Sequence, residues 1–98
     1  MAKVEVIHNL AARRFQVEAD GHRAVSEYIS LPDRIIFTHT EVPRALEGKG
    51  MASALILAGL EHARAEGLQV VPLCPVVAGY MARHPEWKEL LAPGYKVG

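Results

Sequence analysis

The stretch Glu47-Gly48-Lys49-Gly50-Met51-Ala52-Ser53 constrains this chain most. A Gly-Lys-Gly turn runs straight into a helix-forming segment, Ala52 to Glu66, which stops at Gly67. A β-like run, Arg34 to Val42, precedes the turn, and Pro43 breaks that run. Strand, glycine turn and helix start in this order put a tight bend just before first-turn N–H groups that have no partner inside the helix. Such a helix end favours an anion, because the free donors and the helix dipole act in the same direction.

The flanking chain reads as strands before this loop and as helix, strand, helix after it. Lys3 to His8 alternates with Val4 and Val6 on one face, the period of a half-buried strand. Asn9 to Ala12 turns, and Arg13 to Ala19 resumes the alternation through Phe15 and Val17. Asp20-Gly21 is a strong hairpin signal. His22 to Leu31 then carries Ala24, Ser26, Tyr28 and Ser30 on one face, with Val25, Glu27 and Ile29 on the other. Pro32-Asp33 leads into the fourth strand, Arg34 to Val42, where strict alternation groups Ile36, Thr38, Thr40 and Val42 against Phe37, His39 and Glu41. Consecutive strands with short links predict an antiparallel meander.

In the helix, Ala52, Leu55, Ile56, Gly59, Leu60 and Ala63 share one side. A mid-helix glycine costs about 1 kcal/mol relative to alanine, so Gly59 predicts close packing against the sheet. Leu68 to Cys74 is a continuous apolar run, expected as a buried strand parallel to the fourth after the crossover helix. Pro75 suits the first turn of a second helix, Val76 to Arg83, which Pro85 ends. Glu86 to Leu91 allows one more short helical turn. The expected fold is an α/β (α+β) domain over residues 1–98. It has a mixed, mostly antiparallel sheet, a main helix after strand four and a shorter one after strand five.

Composition narrows the function classes. Eleven basic residues balance eleven acidic ones, so the basic excess typical of a dedicated nucleic-acid binder is missing. Cys74 is the single cysteine, which excludes an internal disulfide and a cysteine metal cluster and fits a reducing compartment. The first residues lack the apolar core of a secretion signal, and no apolar run reaches bilayer-spanning length. These features predict a cytoplasmic protein with no membrane partner.

The glycine loop has three readings beyond a plain strand-to-helix turn. A Walker A loop fails, since Lys49 lies between the glycines and no Gly-Lys-Ser/Thr pair follows. A dinucleotide fingerprint fails because the loop follows a fourth antiparallel strand instead of opening a βαβ unit. The third reading is the acyl-CoA loop of the GNAT superfamily of N-acetyltransferases: Gln or Arg, two residues, Gly, any residue, then Gly or Ala. The chain matches its end and has Glu47 where the superfamily has Gln or Arg. Further pieces follow in order: His39-Thr40-Glu41-Val42-Pro43, Leu46-Glu47-Gly48-Lys49-Gly50, Leu73-Cys74-Pro75, Tyr80 and Arg83-His84-Pro85-Glu86. From about Ile36 to Leu91 this set resembles the very short, minimal GNAT proteins, where an acidic residue at the Glu47 position looks normal.

The resemblance implies acetyl-CoA bound in a cleft splayed between strands four and five. Backbone around Thr40 to Val42 would take the pantetheine arm like an added strand. Gly48, Lys49, Gly50, Met51, Ala52 and Ser53 would hold the pyrophosphate, with Lys49 adding charge or remaining a solvated loop lysine. Cys74, at the strand-to-helix junction, is a candidate acetyl carrier if the helix end favours its thiolate, and otherwise an inert buried cysteine. Glu41 and His39 are the candidate bases for the attacking amine. Tyr80 falls near a tyrosine that protonates the leaving thiolate in related enzymes, or else packs over the cofactor. The acceptor stays open between a lysine side chain, a protein N-terminus and a small amine, as does the oligomeric state. A CoA-binding or sensing module without turnover is the alternative, since little chain remains to build an acceptor pocket. A small interaction domain that has lost its cofactor is a third.

Overall fold

Asp20 (φ 51°) and Gly21 (φ 75°) both adopt the left-handed conformation, the pair of angles that a two-residue hairpin matched to strand twist requires. The computed structural model describes residues 4–98. It contains strands β1 (Ile7–Asn9), β2 (Arg14–Ala19), β3 (His22–Ser30) and β4 (Arg34–Glu41), then helix α1 (Met51–Glu66), strand β5 (Gln69–Pro72) and helix α2 (Pro75–Arg83). The sheet order is β1-β2-β3-β4-β5. The first three pairings are antiparallel, and β4–β5 is parallel. The α+β architecture expected above is the one observed.

Several boundaries differ from expectation. Lys3 lies outside the described residues, and the first strand starts only at Ile7. Val4 and Val6 pack on the core without joining the ladder, so their alternation is satisfied by side-chain burial alone. The fifth strand is shorter than the apolar run: Leu73 is 59% exposed, and Cys74 is already the N-cap of α2. A 3-10 turn, Arg44–Leu46, precedes the loop and anchors it through fully buried Leu46. The last helical turn, Pro85–Leu90, is also 3-10. Beyond it, Ala92 N–H donates to Val70 O at 2.9 Å on the far edge of β5.

The core lies between α1 and one face of the sheet, where Phe15, Val17, Ala24, Tyr28, Ile35 and Phe37 meet Leu55, Ile56, Leu60 and Ala63. Burying Leu55 and Leu60 fully contributes about 2 kcal/mol each. Gly59 allows this approach, as expected: a methyl group there would start 2.8 Å from Phe37 Cε1. No described helix is long and apolar enough to cross a membrane.

The fourth strand corrects the face assignment made from alternation. Glu27 pairs with His39 but the next residue, Tyr28, pairs with Phe37, leaving Thr38 as the extra residue of a β-bulge. One inserted residue shifts a period of two by half. Before the bulge, Ile35 and Phe37 face the core; after it, Thr40 does, opposite buried Ser26. Phe37 therefore does not share a face with His39 and Glu41, nor Thr40 with Ile36.

Candidate active site

The β4–β5 ladder runs from Arg34↔Gln69 to Phe37↔Pro72 and then divides. The final link is Cys74 N–H donating to Phe37 O at 2.9 Å. From there β5 turns into α2, while β4 continues through Thr38–Glu41. Pro75 at the first position of α2 stabilises that turn, since its missing N–H has no helical partner to lose. The two parallel strands thus form a fork, with Cys74 at its base.

On the core side of the fork three small polar groups line up. Cys74 Sγ donates to Thr40 Oγ1 at 3.4 Å, and Thr40 Oγ1 donates to Ser26 Oγ at a long 3.4 Å. Cys74 is 2% exposed and Ser26 fully buried, so these contacts satisfy groups that water cannot reach. The bulge aims Thr40 here. His39 and Glu41 lie on the opposite face, with His39 Nε2 3.3 Å from Glu41 Oε1 and their side chains 54% and 69% exposed. A pair this exposed adds at most about 1 kcal/mol to stability but is open to a reactant. Ser26 reaches Thr40 from the neighbouring β3, and Thr38 is the bulged residue of β4. The sequence marked neither as a site residue, because only the strand register places them there.

The glycine loop opens at the same end of the sheet. Gly48 (φ 77°) and Gly50 (φ 76°) are both left-handed, and a side chain on either would meet open space. They are required for backbone handedness, not for room. Gly50 is the N-cap of α1, with no side-chain cap and no acidic residue in the first turn. Its first-turn N–H groups are therefore left for an anion. A cavity of about 190 Å³ joins this loop to the end of β4, lined by Val42, Leu46, Gly48, Gly50, Met51 and Ser53 among others. Lys49 Nζ reaches Asp20 Oδ2 at 3.4 Å, both side chains exposed.

Tyr80 lies on α2. It is buried, its ring lies 4.2 Å from that of His84, and burial first, then Glu86 and Glu61, raises its pKa against the opposing Arg83. Trp87 is buried beneath the Arg64 guanidinium, 4.0 Å from its ring centre, which fixes the 3-10 turn to α1. Among the described residues no group of three or more His, Cys, Asp or Glu is arranged to hold a metal ion.

The structure thus combines a mostly antiparallel sheet, one parallel pair that forks, and an uncapped glycine loop beside the fork. Residues 14–90 match the GCN5-related N-acetyl-transferase family, and the chain belongs to that family. It is 34% identical over 95 residues to Protein NATD1 of Mus musculus, covering 92% of this chain and 86% of that protein. Protein NATD1 of Homo sapiens is likewise 34% identical over 95 residues, with 92% and 84% covered. Protein NATD1 of Xenopus tropicalis is 30% identical over 97 residues, with 94% and 89% covered.

Proposed function

We propose that this chain binds acetyl-CoA in the β4–β5 fork and moves the acetyl group to an amine. One observation carries the reading: the fork opens after Phe37↔Pro72 at the end of the sheet where the uncapped Gly48–Ser53 loop begins α1. The first-turn amides of Gly48 to Ser53 would hold the pyrophosphate, and Lys49 would leave Asp20 to add charge. The free backbone edge at Thr40 to Val42 would take the pantetheine as an extra strand.

Acetyl transfer requires a neutral amine, so the acceptor ammonium must first lose a proton. Glu41, with His39 beside it, is the accessible base, on the exposed face of the fork. The freed amine attacks the thioester carbonyl and the C–S bond breaks. CoA departs as thiolate and takes up a proton. Tyr80 serves in this reading to seat α2.

The contact between Cys74 and Thr40 supports a second route. There the Cys74 thiol gives up its proton, its sulfur attacks the carbonyl and CoA leaves with that proton. The amine then attacks the acetyl-cysteine and frees the thiol. Calorimetry with acetyl-CoA, followed by turnover with lysine peptides, protein N-termini and small amines, tests the whole. Binding with turnover is expected. Binding without turnover would make the chain a CoA-sensing module, and no binding would sink the proposal.

A further inference from the structure

At the end of the sheet away from the glycine loop, a second cavity of about 380 Å³ lies between the turn after β1, the end of β3 and the second half of α1. Arg13, Tyr28, Ser30 and His62 line it, with Leu10 and Ile29, and no carboxylate does. Arg13 is a non-glycine residue in the left-handed conformation, at φ 55°. Its backbone is held there from both sides: Arg13 N–H donates to Leu10 O at 3.2 Å, and Tyr28 N–H donates to Arg13 O at 3.1 Å. Asn9 Oδ1 accepts from Ala12 N–H and completes the turn. Glycine would occupy this position without strain, yet the chain places a guanidinium at the mouth of a cavity. Among the described residues no carboxylate lies within ion-pairing distance of Arg13.

Behind the cavity the charges are equally one-sided. His62 on α1 meets the ring of His8 on β1 edge-on at 4.5 Å. His8 stacks on Phe15 at 4.1 Å, and its Nε2 lies 2.6 Å from Tyr28 Oη. The titratable or charged groups facing one another are thus His8, Arg13, Tyr28 and His62. All are neutral or cationic at neutral pH. Burial first, and then the neighbouring His62, disfavours a proton on His8 and lowers its pKa.

We propose that this cavity binds a small oxyanion, a carboxylate or a phosphate- or sulfate-like group, through the Arg13 fork, His62 and the hydroxyls of Tyr28 and Ser30. A planar guanidinium matches two oxygens of such a group, and the anion supplies the negative charge the cluster lacks. Binding also favours a proton on His8, so affinity and His8 protonation are linked reciprocally. The site is separate from the fork and does not depend on acetyl-CoA binding there.

Sulfate is the suitable first probe, since its charge stays constant across the histidine range, and acetate provides the carboxylate arm. Each is titrated into the full chain while NMR follows the Arg13 Nε–Hε group, the His8 and His62 rings, and the Gly48 to Ser53 amides separately. Either anion is expected to give saturable shifts at Arg13 and His62. Arg13→Gly is expected to abolish those shifts while raising the thermal midpoint, because it removes the left-handed strain together with the guanidinium. Shifts confined to Gly48 to Ser53, or His62 shifts that survive in Arg13→Gly, would overturn the proposal.

Discussion

Cys74 Sγ and Thr40 Oγ1 lie 3.4 Å apart on the core side of β4, while the His39–Glu41 pair occupies its exposed side. The two candidate chemistries are therefore separated by a strand, and one substitution distinguishes them. Cys74→Ser retains a hydroxyl able to donate to Thr40, so the fold is expected to survive. Under direct transfer to the amine, its turnover remains within a few-fold of the parent and intact-mass analysis with acetyl-CoA shows no acetyl adduct on the parent chain. Loss of activity together with an acetylated parent would assign the transfer to the thiol.

Glu41 and His39 sit close enough to substitute for one another. Glu41→Gln keeps the shape and removes the base. A general base contributes on the order of 10² to 10⁴ in rate, so the single variant is expected to lose about ten-fold and the double Glu41→Gln/His39→Gln variant about 10² or more. The double loss should fall on kcat, with acetyl-CoA affinity unchanged, since neither side chain lies in the loop. A matched loss of CoA affinity would instead give these residues a binding role.

Gly50 tests the loop without touching the chemistry. Alanine there meets open space, so its cost comes from the left-handed backbone alone, about 1 to 2 kcal/mol. Gly50→Ala is expected to lower the thermal midpoint modestly and weaken acetyl-CoA binding as the first turn of α1 shifts. Weaker stability with undiminished CoA affinity would mean that the anion cradle lies elsewhere.

The strand count, the Asp20-Gly21 turn and the helix between two parallel strands were all legible, because each rests on local periodicity or turn chemistry. Gly59 was legible for the same reason: an unfavourable residue mid-helix implies a neighbour that needs the space. The bulge at Thr38 was not, because an inserted residue changes neither composition nor hydrophobicity, only phase. It is cooperative with β3 and exists only in the pairing. That phase shift carried the error into the site, placing Thr40 on the wrong face and hiding Ser26. Arg13 escaped notice similarly. Its left-handed backbone is imposed by hydrogen bonds to Leu10 and Tyr28, and its own residue type argues against it.

Gly59→Ala measures how tightly α1 sits on the sheet. The added methyl would approach Phe37 Cε1 and Cζ to 2.8 and 2.9 Å, and Phe37 is only 1% exposed, so its ring has little room to yield. Overpacking costs about 1 to 3 kcal/mol, and alanine recovers about 1 of that through helix propensity. A net loss near 1 kcal/mol is expected in urea unfolding. Phe37→Leu should reduce the penalty when combined with it, although it destabilises alone. Additive losses would show that the two positions do not compete for space.

His8 gives stability a defined dependence on acid. Burial, then His62, lowers its pKa from 6.5, so the folded chain resists a proton that the unfolded chain accepts. As pH falls below 6.5 the unfolded state binds more protons and stability declines, reaching its full loss once pH is below the folded pKa. Tyr28 acts on the opposite limb. Its pKa is raised from 10.0, chiefly by burial, so the folded chain keeps a proton that the unfolded chain loses and stability declines as pH rises above 10.0. His8→Phe keeps a ring to stack on Phe15 and removes both the titration and the hydrogen bond to Tyr28. It is expected to cost about 1 kcal/mol near neutral pH and to flatten the decline toward about pH 5, as measured by urea unfolding across that range. A variant that keeps the parent's acid slope would show that His8 does not carry it.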